Sequence, residues 1–80
     1  MLSNEQIERR LNIEGVEYVR VSGDGRHFEV IIVTDQFVGQ TKLARQRWVY
    51  AQLKDEITAG DLHALSMKTW TKSEWEKQHG

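Results

Sequence analysis

The chain has 80 residues, of which 39% are hydrophobic and 29% charged, with a net charge of -1 and neither cysteine nor proline. That size fits one small domain over residues 1–80 with one core. The charge balance gives no global attraction to nucleic acid, and the absence of thiols excludes disulfides and any thiolate site held by this chain alone.

No apolar run approaches the roughly 20 residues that cross a bilayer. The polar, acidic start does not read as a signal peptide, so a cytoplasmic location is expected.

Ser3-Asn4-Glu5-Gln6 reads as a capping box, with Leu2 and Ile7 placed as its hydrophobic staple. A first helix is expected over residues 4–12, with Ile7 and Leu11 facing inward and Gly15 closing the unit. Residues 16–21 then alternate in polarity. Ser22-Gly23-Asp24-Gly25-Arg26 is a turn cluster centred on Asp-Gly, and residues 27–33 are almost continuous in β-branched and aromatic types. Two such runs around Asp-Gly predict an antiparallel hairpin. Both faces of the second run are apolar, which predicts a central place in the sheet.

Residues 34–40 link this strand to the longest helical pattern in the chain. Thr41 is its natural N-cap and Gly60 its stop. Leu43, Val49, Tyr50, Leu53 and Ile57 form the expected apolar stripe of one helix, with Ala44, Trp48 and Ala51 on its flank. Its charges oppose the helix dipole: Lys42, Arg45 and Arg47 lie in the first half, Asp55 and Glu56 near the end. They read either as a solvated face or as an anion-attracting end.

Residues 62–69 alternate again, with His63, Leu65 and Met67 on one face. A strand, a helix and a strand of these lengths favour a right-handed crossover, which sets the third strand parallel to the second. Thr71-Lys72-Ser73-Glu74 is a second capping box, with Trp70 and Trp75 as its staple, opening a short helix towards Gln78. The expected order is α-β-β-α-β-α, a mixed three-stranded sheet with helices on one face.

Phe37, Gly39, Thr41, Arg45, Val49 and Tyr50 have the spacing F-x-G, a hydroxyl residue, then R-x-x-x-V-Y. With the SGDG loop and the HALSMKTW strand, this pattern resembles the BolA family, most closely its short bacterial members. The resemblance spans nearly the whole chain. It implies an α+β fold of the class II KH-like type.

His63 alone would be read first as a structural histidine at a strand start, because a metal ligand needs partners. The resemblance aligns it with the family's signature histidine, which ligates a bridging 2Fe-2S cluster. Relatives take a second ligand, cysteine or histidine, from the loop between the first two strands. Here His27 is the candidate replacement and Asp24 a poorer one, while a strand-edge role for His27 stays open. His79 reads as a solvated tail residue.

Since this chain has no cysteine, the remaining cluster ligands must come from elsewhere. The family partner is a monothiol glutaredoxin, which brings its active-site cysteine and a bound glutathione. The resemblance therefore implies cluster trafficking or iron and stress regulation, with no tight cofactor on this chain alone. The chain itself is expected to be a monomer or a weak homodimer.

No nucleophile–base order, carboxylate pair or phosphate-cradling loop supports catalysis, and Gly23-x-Gly25 precedes a strand where a nucleotide loop needs a helix. The alternative function is DNA binding by a transcription regulator, through Lys42, Arg45, Arg47 and Lys68, which would equally suit an acidic partner. Against it, the GXXG clamp of RNA-binding KH domains is missing. A third alternative is a structural adaptor or homodimer whose interface includes the Trp70–Trp75 pair.

Overall fold

The structure, a computed structural model, describes residues 2–60 and 64–79. The elements are α1 (Asn4–Leu11), β1 (Val16–Gly23), β2 (His27–Thr34), a 3-10 turn (Asp35–Phe37), α2 (Lys42–Gln52), α3 (Lys54–Thr58), β3 (Ala64–Trp70) and α4 (Lys72–His79). The sheet order is β1-β2-β3, antiparallel between β1 and β2 and parallel between β2 and β3. The hairpin, the central apolar strand and the parallel crossover all appear as the sequence predicts.

Both capping boxes form. The Ser3 hydroxyl accepts from the Gln6 amide at 3.1 Å while the Ser3 amide donates to Gln6 Oε1 at 2.7 Å. At α4 the Glu74 amide donates to Thr71 Oγ1 at 3.2 Å, and the Thr71 amide donates to Glu74 Oε1 at 2.8 Å. Each box satisfies two backbone donors that the first helical turn leaves without partners.

One face of the sheet carries the core. Val21, Phe28, Val30 and Ile32 pack with Ile7 and Leu11 of α1, Phe37 of the 3-10 turn, and Val49 and Leu53 at the end of α2. The strand register keeps Val19 and Val21 opposite Ile32 and Val30, and Met67 beside Val30, so one apolar row runs across the strands.

Three expectations change. The long helix is two helices. Leu53 leaves helical geometry at φ -106°, ψ 18°, and its amide donates to the Tyr50 carbonyl three residues back. This tightened turn seats Leu53 in the core and divides α2 from α3. Asp55 and Glu56 consequently stand in the first turn of α3, where the dipole favours them, and both pair with Arg10 of α1, at 2.9 and 2.5 Å.

The apolar stripe is also different. Leu43, Tyr50 and Ile57 are 56%, 40% and 39% exposed, and only Val49 and Leu53 of the five are buried. The inward row instead includes Arg45 and Trp48, because the edge of the sheet offers carbonyl and carboxylate partners there.

The helices do not all share one face. Tyr18 and Val33 are register partners on the face opposite Val30, with Trp70 beside Val33. Trp75 of α4 stacks on Tyr18 at 5.3 Å between ring centroids and meets Trp70 at 6.4 Å. With Thr71 alone between β3 and α4, the chain has no length to cross back, so α4 stays on the side to which Trp70 points.

Candidate functional site

The first candidate region is the β1–β2 turn and the strand start beside it. Gly23 has φ +156°, and a Cβ there would run into the His27 carbonyl oxygen and stand 3.0 Å from Phe28 Cα. Asp24 ties the turn: its Oδ1 accepts the amides of Arg26 and His27, both at 2.9 Å. These two bonds, His27 first, hold the Asp24 carboxyl below its ordinary range.

One Asp24 oxygen is thus engaged in shaping the loop. His27 is exposed at the first position of β2, and among the described residues its imidazole has no hydrogen-bond partner. Its register partner across the parallel ladder is Ala64. His63, which precedes Ala64 in sequence, lies outside the described residues, as do Asp61 and Leu62. Among the described residues no group of three His, Asp or Glu side chains is gathered as a metal site. A donor set of one or two imidazoles suits half of the ligand shell of a cluster completed by thiolates from another molecule.

The second region is the far end of β3. Arg45 reaches from α2 around the sheet edge. Its Nε donates to the Gln40 carbonyl at 3.1 Å, and its Nη1 to the Thr69 carbonyl at 3.2 Å and to Glu74 Oε1 at 2.8 Å. Nη2 donates to Glu74 Oε2 at 3.4 Å, and the guanidinium lies 5.7 Å from the centroid of the Phe37 ring. The Arg45 bonds and then the Thr71 amide pull the Glu74 carboxyl down to about 2 from an ordinary 4.5.

Arg45 therefore joins α2, β3 and α4, with its charge matched by Glu74. Lys42 and Lys68 line the same cavity as Arg45. Arg47 is exposed on the helix but is not part of that wall, so the four predicted cations are not brought together as one patch. Sequence reasoning assigned Glu74 to its helix cap. The second use of its carboxylate, as counter-ion to a residue 29 positions away, has no local signal.

Most of the signature residues build the fold. Phe37 is buried and meets Trp48 edge-on at 5.4 Å, Gly39 takes φ +76°, and the Thr41 hydroxyl accepts the Ala44 amide at 3.1 Å. Val49 fills the core, whereas Tyr50 is largely exposed.

The model of the BolA-like proteins matches residues 6–74. The acid stress protein IbaG of Escherichia coli K12 is 38% identical over 77 residues, covering 96% of this chain and 92% of that protein. The DNA-binding transcriptional regulator BolA of the same strain is 32% identical, covering 95% of this chain and 82% of that protein. Among solved structures, a BolA homologue from Coxiella burnetii superposes with a TM-score of 0.83 at 36% identity, covering 95% of this chain and 99% of that one. With a matching model, near full-length relatives and the same fold, this chain belongs to the BolA-like family.

Proposed function

We propose that this protein is a non-enzymatic partner of a monothiol glutaredoxin, with which it shares a bridging 2Fe-2S cluster as cargo, in the cytoplasm. His63 and His27 are its ligands. The observation that carries this reading is the parallel register: His27 stands opposite Ala64, the residue that follows His63 in the chain. With no cysteine, the chain supplies only imidazoles, and the glutaredoxin cysteine and glutathione supply the sulfur. The cluster contributes electron transfer and iron release when bound.

This chain's own residues orient and protect. The Asp24 bonds fix the backbone of His27, and the short loop leaves its imidazole open to a second protein. Ligation uses the neutral imidazole, whose ring nitrogen keeps a lone pair to give to iron.

The test is cluster reconstitution with a monothiol glutaredoxin and glutathione, followed by visible circular dichroism. Addition of this protein converts the glutaredoxin homodimer spectrum, and His63→Ala prevents the conversion. His27→Ala then identifies or dismisses the second ligand. An unchanged spectrum with no binding refutes the proposal.

A second reading, DNA binding, is favoured by Lys42, Arg47 and Lys68, none of which has an ion-pair partner among the described residues. It is weakened by Arg45, whose charge is matched by Glu74. Titration of a generic duplex at low salt separates the two readings, since affinity built on phosphate contacts is greatest there.

A further inference from the structure

β3 is an edge strand, and its open side at Met67–Trp70 forms the floor of a cavity of about 670 Å³ between the start of α2 and α4. That is within the range of small-molecule sites, roughly 300–1,000 Å³. Three lysines from three different elements line it: Lys42 of α2, Lys68 of β3 and Lys77 of α4. Glu74 is the carboxylate in that wall, and Arg45 already holds it at 2.8 Å. Among the described residues the three ammonium groups have no ion-pair partner.

A solvated helix face would carry its lysines on one element, pointing outward. Here the cations sit on separate walls around one concave surface. Ammonium groups act as point charges, which suits a compact, multiply charged phosphate better than a single planar carboxylate. The wall is not polar throughout. Met67 and Trp70 are half-buried and give it an apolar part, and Trp70 Nε1 is shielded from solvent without an acceptor. A ligand with an apolar or planar body as well as phosphate uses both parts of the surface.

We propose that this cavity binds an organic phosphate of about mononucleotide size. The site is separate from the histidine region and independent of the cluster reading. A nucleic-acid strand is less well matched: it needs a basic track along successive phosphates, and Arg47 lies outside the wall.

The experiment is titration of the isolated protein with ADP, inorganic pyrophosphate and adenosine, read by calorimetry and by amide shifts in two-dimensional NMR. ADP is expected to bind and to move the amides of Lys68, Thr69, Trp70 and Lys77. Pyrophosphate binds more weakly, and adenosine without phosphate does not bind. Lys68→Ala with Lys77→Ala, both exposed positions, weakens ADP by about tenfold or more, as expected for losing charge-assisted contacts. Lys54→Ala, exposed and outside the cavity, leaves ADP affinity unchanged.

No ADP binding at millimolar concentration overturns the proposal, as does binding that the double variant leaves intact. Pyrophosphate binding as tightly as ADP reduces the site to a general anion site and overturns the organic-phosphate class. A single-stranded oligonucleotide that binds and cannot be displaced by ADP overturns it in favour of a polymer.

Discussion

Replacing Arg45 by alanine separates a structural role from a ligand-binding one. The side chain is 13% exposed and makes four hydrogen bonds to three partners. The pair with Glu74, itself 43% exposed, is worth about 1 kcal/mol at most after solvent screening. The half-buried Thr69 carbonyl loses a partner at about 1 kcal/mol, and the lost packing of the stem and the Phe37 contact adds about 1 kcal/mol more. Arg45→Ala is therefore expected to cost about 3 kcal/mol, a large fraction of the ~4–12 kcal/mol of a domain this size.

In urea unfolding followed by circular dichroism at pH 7, the midpoint falls with little change in slope. Arg45→Lys keeps the charge but not the fork, and recovers less than half of the loss. A loss below about 1 kcal/mol for Arg45→Ala would refute the clamp. So would full recovery by lysine. The pH dependence supplies a second check. Because the folded Glu74 carboxyl lies at about 2, below its ordinary 4.5, its contribution is complete above 4.5 and disappears as pH falls towards 2. That acid-sensitive contribution, about 1 kcal/mol after screening, is smaller in the Arg45→Ala protein, where only the Thr71 bonds remain to hold the carboxylate.

Gly23→Ala is expected to cost about 2 kcal/mol or more, because its Cβ meets the His27 backbone, and to disturb the NMR shifts of the whole hairpin. Leu53→Ala opens a hole in the core where α2 meets α3 and should cost about 2–4 kcal/mol by chemical denaturation, well beyond the effect at exposed Leu43. Arg10→Ala releases Asp55 and Glu56, so amide exchange in α3 should speed up while β2 stays protected. Raising the salt concentration should reproduce part of that effect in the unmodified protein, and indifference to salt would contradict it.

The features that local chemistry controls were legible in the sequence. Ser3 with Gln6 and Thr71 with Glu74 specify their caps within four residues, and Asp24 ties its own turn through the amides of Arg26 and His27. The central position of β2 followed from apolar residues on both of its faces. Periodicity misleads where tertiary partners outweigh it. Leu43 and Tyr50 satisfy a helical apolar spacing, yet the inward direction of α2 is set by Arg45, because the Thr69 carbonyl and the Glu74 carboxylate lie there. The break at Leu53 has no glycine or proline to announce it; burial of Leu53 and the pull of Arg10 on the next turn decide it. For the candidate site, the sequence named His27 and His63 but gave no register. The cavity wall is only half legible, because charge alone groups Lys42 and Lys68 with Arg47, whereas Lys77 and Trp70 join them through topology.

The two candidate regions sit at opposite ends of one strand. Ala64, opposite His27, lies four steps from Lys68 and six from Trp70 of the cavity wall, about 13 and 20 Å at the rise of a strand, with Met67 at the near edge. Sites farther apart than roughly 10 Å, with no shared partners, perturb each other little. The Arg45–Glu74 clamp contacts the cavity end and not the turn at Asp24, which is held by its own hydrogen bonds. His27→Ala should thus leave ADP binding unaltered, and Lys68→Ala with Lys77→Ala should leave the glutaredoxin cluster spectrum unaltered. If the lysine variants instead weaken glutaredoxin binding, the partner spans the whole length of β3, and the cavity belongs to its footprint rather than to a separate ligand.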